Sequence, residues 1–243
     1  IAAATPEAVV PAQPLADAGT VRLVLTGDVA LNWRGTDPNL KVFPWSRNPL
    51  RFLAPYFRAA DLAVVNVEGV WLERNPTYAV KHLNLVAPAA SAQVFAPAGV
   101  HLGSTANNHA LDGKDVGVLE HLERLHRTGL KTMGSGRTDE EARRPFVWRG
   151  KGSCVALVPA TWKMNLPIRG KAAVAFYPPE RQAELLALVK ATRATCGYVI
   201  TYIHWGVEKA HYPGKDIQAL AHSLVDAGSD LVVGHHPHVL QGV

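Results

Sequence analysis

The stretch Leu231–Gly242 reads LVVGHHPHVLQG, a short apolar run followed at once by His235, His236 and His238. A short apolar run closed by turn residues reads as a buried strand. Three imidazoles packed this closely are costly to bury unless something partners them. The same arrangement recurs upstream. Val21–Gly27 (VRLVLTG) is followed by Asp28. Leu62–Val67 (LAVVNV) carries Asn66 and is followed by Glu68. Val100–Ala106 leads into Asn107, Asn108 and His109, and Tyr198–Ile203 into His204 and Trp205. Each has a plain explanation when taken alone. Asp28 after Gly27 suits a turn or helix N-cap, Asn107-Asn108 a turn, and His204 a packed core histidine. Repetition at successive strand ends points instead to one site, because ligands of parallel α/β sheets bind outside the carboxyl ends of the strands. If these strands share a sheet, their terminal side chains converge.

Helical spacing fills the intervals: Pro49–Ala60, Pro88–Ala98, Gly113–Thr128 with Val116, Leu119, Leu122 and Leu125 on one face, Pro179–Thr195, and Asp216–Ala227. Phe146–Trp148 and Cys154–Ala160 read as strands joined by a turn at Arg149–Ser153. Strands alternating with helices give an α/β fold. The stretches Asp37–Asn48 and Asn75–Ala87 read as long loops, which in compact domains are often binding loops.

Composition narrows the classes. The chain has 243 residues, 48% hydrophobic and 19% charged, a globular balance that excludes intrinsic disorder. No apolar stretch approaches the ~18–20 residues that span a bilayer. Two cysteines exclude a disulfide-dense scaffold and a multi-cysteine zinc fold. Cys154 and Cys196 sit where one edge of neighbouring strands allows a bridge, and two buried thiols fit the sequence equally well. Lys+Arg 25 against Asp+Glu 20 leaves +5, which suits an anionic ligand. The basic residues are scattered and no helix-turn-helix or base-stacking motif occurs, so no nucleic acid is expected. Residues 1–20 (IAAATPEAVVPAQPLADAGT) read as a flexible Ala/Pro-rich segment, either a tether behind a removed secretory signal or a plain terminus. Residues 21–243 read as one domain, expected to be cut short at its C-terminal end because no capping element follows the histidines.

The donor types at the strand ends suit a metal. Two carboxylates, a carboxamide and several imidazoles favour Mn, Fe or Zn over a thiolate-bound metal, and calcium would want more oxygen. Glu68 is placed to bridge two divalent transition cations, the usual device for hydrolysing phosphate esters.

The motifs TGDVAL, VNVEG, ANNHALD, IHWGVE and VVGHHPHVLQG, in that order, resemble the CapA family of capsule or poly-gamma-glutamate synthesis proteins. That family is related to the calcineurin-like metallophosphoesterases. The segment Gly134–Pro145 (GSGRTDEEARRP) fits too, and the resemblance covers residues 21 to 243. It implies a four-layer α/β/β/α sandwich with mixed sheets. It implies Asp28, Glu68, Asn108, His204, His235 and His238 as metal ligands, with Glu68 bridging, and Asp28 and His109 as catalytic residues. Asn66, Asn107, His236 and Trp205 are expected to contact substrate, with His236 a further ligand candidate. Lys209 and His211 fit either an anionic-substrate contact or a solvated loop, and Trp162 either a pocket wall or core. The sequence departs from the pattern at Ala30, where a histidine is usual, and at Glu68, where aspartate is usual. The implied activity is a secreted or periplasmic, cell-envelope hydrolase acting on a phosphoester beside membrane-bound capsule synthesis machinery. The competing implication is a non-catalytic accessory that binds an anionic polymer.

Overall fold

A computed structural model describes residues 19–31, 48–73, 84–170 and 172–242. The N-terminal segment 1–18, and the loop stretches 37–47 and 75–83, lie outside the described residues. In chain order the strands are β1 (Leu23–Val29), β2 (Leu62–Val67), β3 (Val70–Leu72), β4 (Val86–Pro88), β5 (Leu102–Ser104), β6 (Lys131–Met133), β7 (Ser135–Gly136), β8 (Phe146–Gly150), β9 (Ser153–Thr161), β10 (Ala173–Val174), β11 (Tyr198–His204) and β12 (Leu231–His235). The α-helices are α1 (Ala54–Ala59), α2 (Phe95–Ala98), α3 (Lys114–Arg127), α4 (Asp139–Arg143), α5 (Gln182–Arg193) and α6 (Lys215–Asp226).

Among the described residues, two four-stranded sheets form the centre. The first has the order β1-β2-β5-β6 and is parallel throughout. The second has the order β12-β11-β9-β8, with β8 antiparallel, so of the two this sheet alone is mixed. Short pairs β3-β4 and β10-β7 lie beside them. Side chains alternate across a strand, and β2 shows both faces covered. Leu62 and Val64 pack with Leu102, Leu157, Ile200 and Tyr202 between the sheets. Ala63, Val65 and Val67 face outward onto Phe57, Phe95 and Leu125 of α1, α2 and α3. The outer face of the second sheet, with Val158, Val199 and Ile203, carries Leu185 and Val189 of α5 and Ile217, Leu220 and Leu224 of α6. The layers are therefore α/β/β/α, as the resemblance implied.

The convergence runs across both sheets rather than within one. The five signature strands divide between two sheets, β1, β2 and β5 in one and β11 and β12 in the other. The Tyr202 hydroxyl on β11 donates to the Thr26 carbonyl on β1, tying the sheets together at their carboxyl ends.

Several elements differ from their sequence pattern. Pro88–Ala98 is mostly a 3₁₀ turn, Ala89–Val94, because Pro97 leaves α2 only four residues. Pro49–Ala60 shortens to α1, and Pro179–Arg181 forms a 3₁₀ turn before α5. Strands β3, β4 and β6 are too short to show a period. Cys154 and Cys196 are bridged, with Cα atoms 5.2 Å apart, which resolves the two readings of the cysteines.

Candidate metal centre

Asp28 reaches the site through a bulge. In the β1-β2 register Leu25 faces Val64 but Asp28 faces Asn66, so two residues of β1 oppose one of β2. Such an extra residue re-aims a strand end. The Asn66 side-chain amide then donates to Asp28 Oδ1 at 2.7 Å. The backbone N–H of His236 donates to Asp28 Oδ2 at 3.0 Å, and His238 Nδ1 lies 3.0 Å from the same oxygen. His204 Nδ1 and His235 Nδ1 lie 3.6 and 3.4 Å from Oδ1. Burial pushes the Asp28 carboxyl upward, but hydrogen bonding from His204 and His235 outweighs it and holds the group below the ordinary carboxylate range.

Glu68 follows β2 directly and is buried. Gly69 after it has φ +105, and a Cβ there would lie 2.5 Å from the Leu85 carbonyl, so only glycine lets the chain turn away behind the carboxylate. Glu68 Oε1 lies 4.0 Å from His109 Nε2, 3.9 Å from His204 Nε2 and 4.0 Å from His238 Nε2. His204 faces two ways: Nε2 stands 2.9 Å from Asn108 Oδ1, while Nδ1 backs onto His235 Nδ1 at 2.8 Å.

Among the described residues, four sets of three side chains bring potential ligand atoms within 4.8 Å of one another. They are Asp28-His204-His235, Glu68-His204-His236, Asp28-Glu68-His238 and Glu208-His236-His238. Two of these sets share Glu68. Burial lowers the His204 pKa to about 3 and that of His236 to about 4, and moves His235 in the same direction. Near neutral pH these rings carry lone pairs, the form that binds metal. His236 is fully buried, and neither ring nitrogen has a partner among the described residues; His235 Nε2 has none either. Buried polar atoms without partners are rare. His236 and His238 also have φ of +102 and +57, a left-handed region that costs a side-chain-bearing residue energy.

The structure brings Asp28, Asn66, Glu68, Asn107, Asn108, His109, His204, His235, His236 and His238 to one place. Asn66 and Asn107 are corrected as substrate contacts, since both are fully buried and bonded to protein. Asn107 donates to the Val67 carbonyl at 2.9 Å and accepts from the His109 N–H at 3.1 Å, so it positions Glu68 and His109. Trp205 packs with Ile217 and Leu220 over Gly234, where a Cβ would lie 2.5 Å from the indole nitrogen. Its edge borders a cavity of about 1070 Å³ together with Asp28, His235, His236 and His238. Trp162 packs at the rim of the same core, and Lys209 and His211 are exposed.

Two residues escaped the sequence reading. Asp112 Oδ2 accepts from the Leu85 N–H at 2.5 Å and lies 2.7 Å from His109 Nδ1. Its signal was a carboxylate three positions after a catalytic-type histidine, inside the quoted ANNHALD motif. Asn165 touches Asn108 Nδ2 at 3.4 Å and His109 Nε2 at 3.5 Å from a loop without any pattern.

The family profile described as bacterial capsule synthesis protein PGA_cap matches residues 22–243. The chain is 26% identical over 195 residues to the PGA biosynthesis protein CapA of Bacillus subtilis, covering 79% of this chain and 51% of that one. It is 28% identical over 201 residues to the capsule biosynthesis protein CapA of Bacillus anthracis, covering 79% and 48%. The chain thus spans about half the length of these curated relatives. A hypothetical protein from Thermus thermophilus shares the fold at a TM-score of 0.52 and 19% identity, over 90% of this chain and 69% of the other.

Proposed function

The chain belongs to the PGA_cap family of bacterial capsule synthesis proteins, and from that premise we propose that it is a metal-dependent hydrolase of the metallophosphoesterase type acting on an anionic polymer or phosphoester of the cell envelope. The observation that carries this is the sharing of Glu68 by two separate ligand sets.

Glu68, Asn108, His204 and His236 would hold one divalent transition cation, and Asp28, Glu68 and His238 a second. This pairs His236 with His238 and leaves His235 behind the site, against His204 and Asp28. The donor set fits: neutral imidazoles, carboxylates and an amide oxygen suit Mn, Fe or Zn. When bound, such cations polarise a phosphoryl oxygen and make water a nucleophile near neutral pH. His109 does the proton work. Asp112 accepts from Nδ1–H, which fixes the ring and leaves Nε2 facing Glu68 and Asn165. With Nδ1–H held by Asp112, the doubly protonated ring would give its Nε2 proton to the leaving-group oxygen as general acid and be left neutral. Asn165 also lines a cavity of about 800 Å³ with Arg137, Asp139 and an Arg181 already paired with Glu184, which leaves Arg137 as the cation that would meet a negatively charged chain there.

A secreted or periplasmic setting, beside membrane-bound capsule synthesis machinery, is part of the proposal. The Cys154–Cys196 bridge supports it, since disulfides persist in oxidising compartments. No helix among the described residues is long and apolar enough to cross a membrane. The accessory reading, binding of an anionic polymer without turnover, is favoured by one observation: Ala30 stands where the resemblance expects an imidazole.

Elemental analysis of protein purified without chelator, followed by turnover of a simple phosphodiester with added Mn, tests the proposal. His109→Ala should keep its metal and lose about 10²–10⁴-fold in rate. Asn108→Ala should lose metal affinity and rate together. Wild-type protein that binds no transition cation in excess Mn or Zn removes the hydrolase reading.

A further inference from the structure

Glu208 lies on the loop after β11, outside every role assigned so far. Its carboxylate, with His236 and His238, forms the one ligand set among the four that includes neither Asp28 nor Glu68. The loop that carries it is fixed against the histidine loop. Gly206 turns at φ +92 with its would-be Cβ 3.5 Å from Pro237 Cγ. The Lys209 N–H donates to the Pro237 carbonyl at 2.7 Å, and Lys209 itself is left-handed at φ +60. The Gln241 amide donates to the Ala210 carbonyl at 2.7 Å. Two left-handed residues therefore bracket Glu208 and hold it against the histidines. Opposite it, the His236 ring is fully buried, with neither nitrogen partnered among the described residues.

From this geometry we propose that Glu208 is a metal ligand: with His236 and His238 it binds a divalent transition cation on the outer side of the centre, in an arrangement that competes with the inner cations for those two rings. The inference rests on the metal-dependent reading above. An imidazole, a second imidazole and a carboxylate are a recurrent three-ligand set for Zn, Mn or Fe.

The test is calorimetric titration of the whole chain, stripped with chelator, with Mn and with Zn, for wild type, Glu208→Gln, Asp28→Ala and Glu123→Gln. Glu123 is an exposed acid of α3 and controls for the loss of one charge. Glu208→Gln keeps shape and exposure, so folding is not at stake, and near-ultraviolet circular dichroism verifies it. The expected result is at least a ~10-fold loss of affinity in one class of sites for Glu208→Gln, with no change for Glu123→Gln. Unchanged affinity and stoichiometry in Glu208→Gln, with loss in Asp28→Ala, overturns the role of Glu208 and leaves the metal centre standing. Wild-type protein that takes up neither cation overturns the metal-dependent reading and the Glu208 proposal together.

Discussion

The two sides of the centre are built on opposite principles. On the side of the all-parallel sheet, Asp28, Asn66, Asn107 and the His109–Asp112 pair are tied to protein groups by hydrogen bonds of 2.7 to 3.1 Å. On the side of the mixed sheet, the loop His235–His238 carries two left-handed residues and three buried ring nitrogens without partners among the described residues. One half is tied mainly to its own sheet, and the other holds His236 in a costly state that a bound cation would relieve. On the proposed reading, binding energy would go into the histidine loop, while the carboxylate side sets the geometry it meets.

The largest expected effect comes from joining the two halves wrongly. Glu68→Ala removes the carboxylate common to two ligand sets, so it should weaken binding of both cations, by at least ~10²-fold, where loss of a ligand serving one set weakens only one. Elemental analysis of Glu68→Ala beside Asn108→Ala reads this directly. Equal loss in the two variants would break the comparison.

A buried imidazole outside the centre gives the next test. His121 on α3 accepts from the Trp71 N–H at 3.1 Å and stacks on the Trp71 ring, and its Nε2 has no partner among the described residues. Burial lowers its pKa to about 3. The folded value lies below the unfolded value near 6.5, so the unfolded chain takes up the proton first. Stability should then fall as pH drops below about 6.5, by about 2 kcal/mol at pH 5. His121→Gln keeps an acceptor and removes the titration. Thermal unfolding of the metal-free protein between pH 7 and 5 should show a shallower acid loss in this variant than in wild type. Identical slopes would place the whole acid sensitivity elsewhere.

The smallest effect sharpens the claim of strain. Glycine tolerates φ +102 where histidine does not, so His236→Gly should raise the stability of the chelated protein by about 1 kcal/mol while reducing the stabilisation gained on adding Mn. Stability lost in the chelated state would show that the ring packs for structure alone.

How far the sequence could be read follows from the same contrast. The apolar runs before Glu68, Asn108 and His204 were legible because β2, β5 and β11 are buried on both faces and leave a continuous apolar signal; those before Asp28 and His235 lie on partly exposed edge strands and were legible from their short apolar runs alone. Two features of the centre were not. Whether His235 or His236 meets Glu68 depends on the sign of φ in a loop, and no pattern of residue types encodes that. Asp112 and Asn165 act through contacts across 27 and 57 positions, to Leu85 and Asn108. The division of the strands into two sheets was likewise invisible to spacing and came from the resemblance, because one-residue alternation says which face is covered but not by what.

Asp28 and the backbone N–H of His236 meet across 208 positions of chain. A ribosome delivers one of these groups long before the other, and contacts between distant positions form late because the loop entropy comes first. The candidate centre is therefore completed late in folding. On the proposed reading, a chain cut before the final strand lacks the His235–His238 loop and would capture no cation, so occupancy would report that the two sheets have docked.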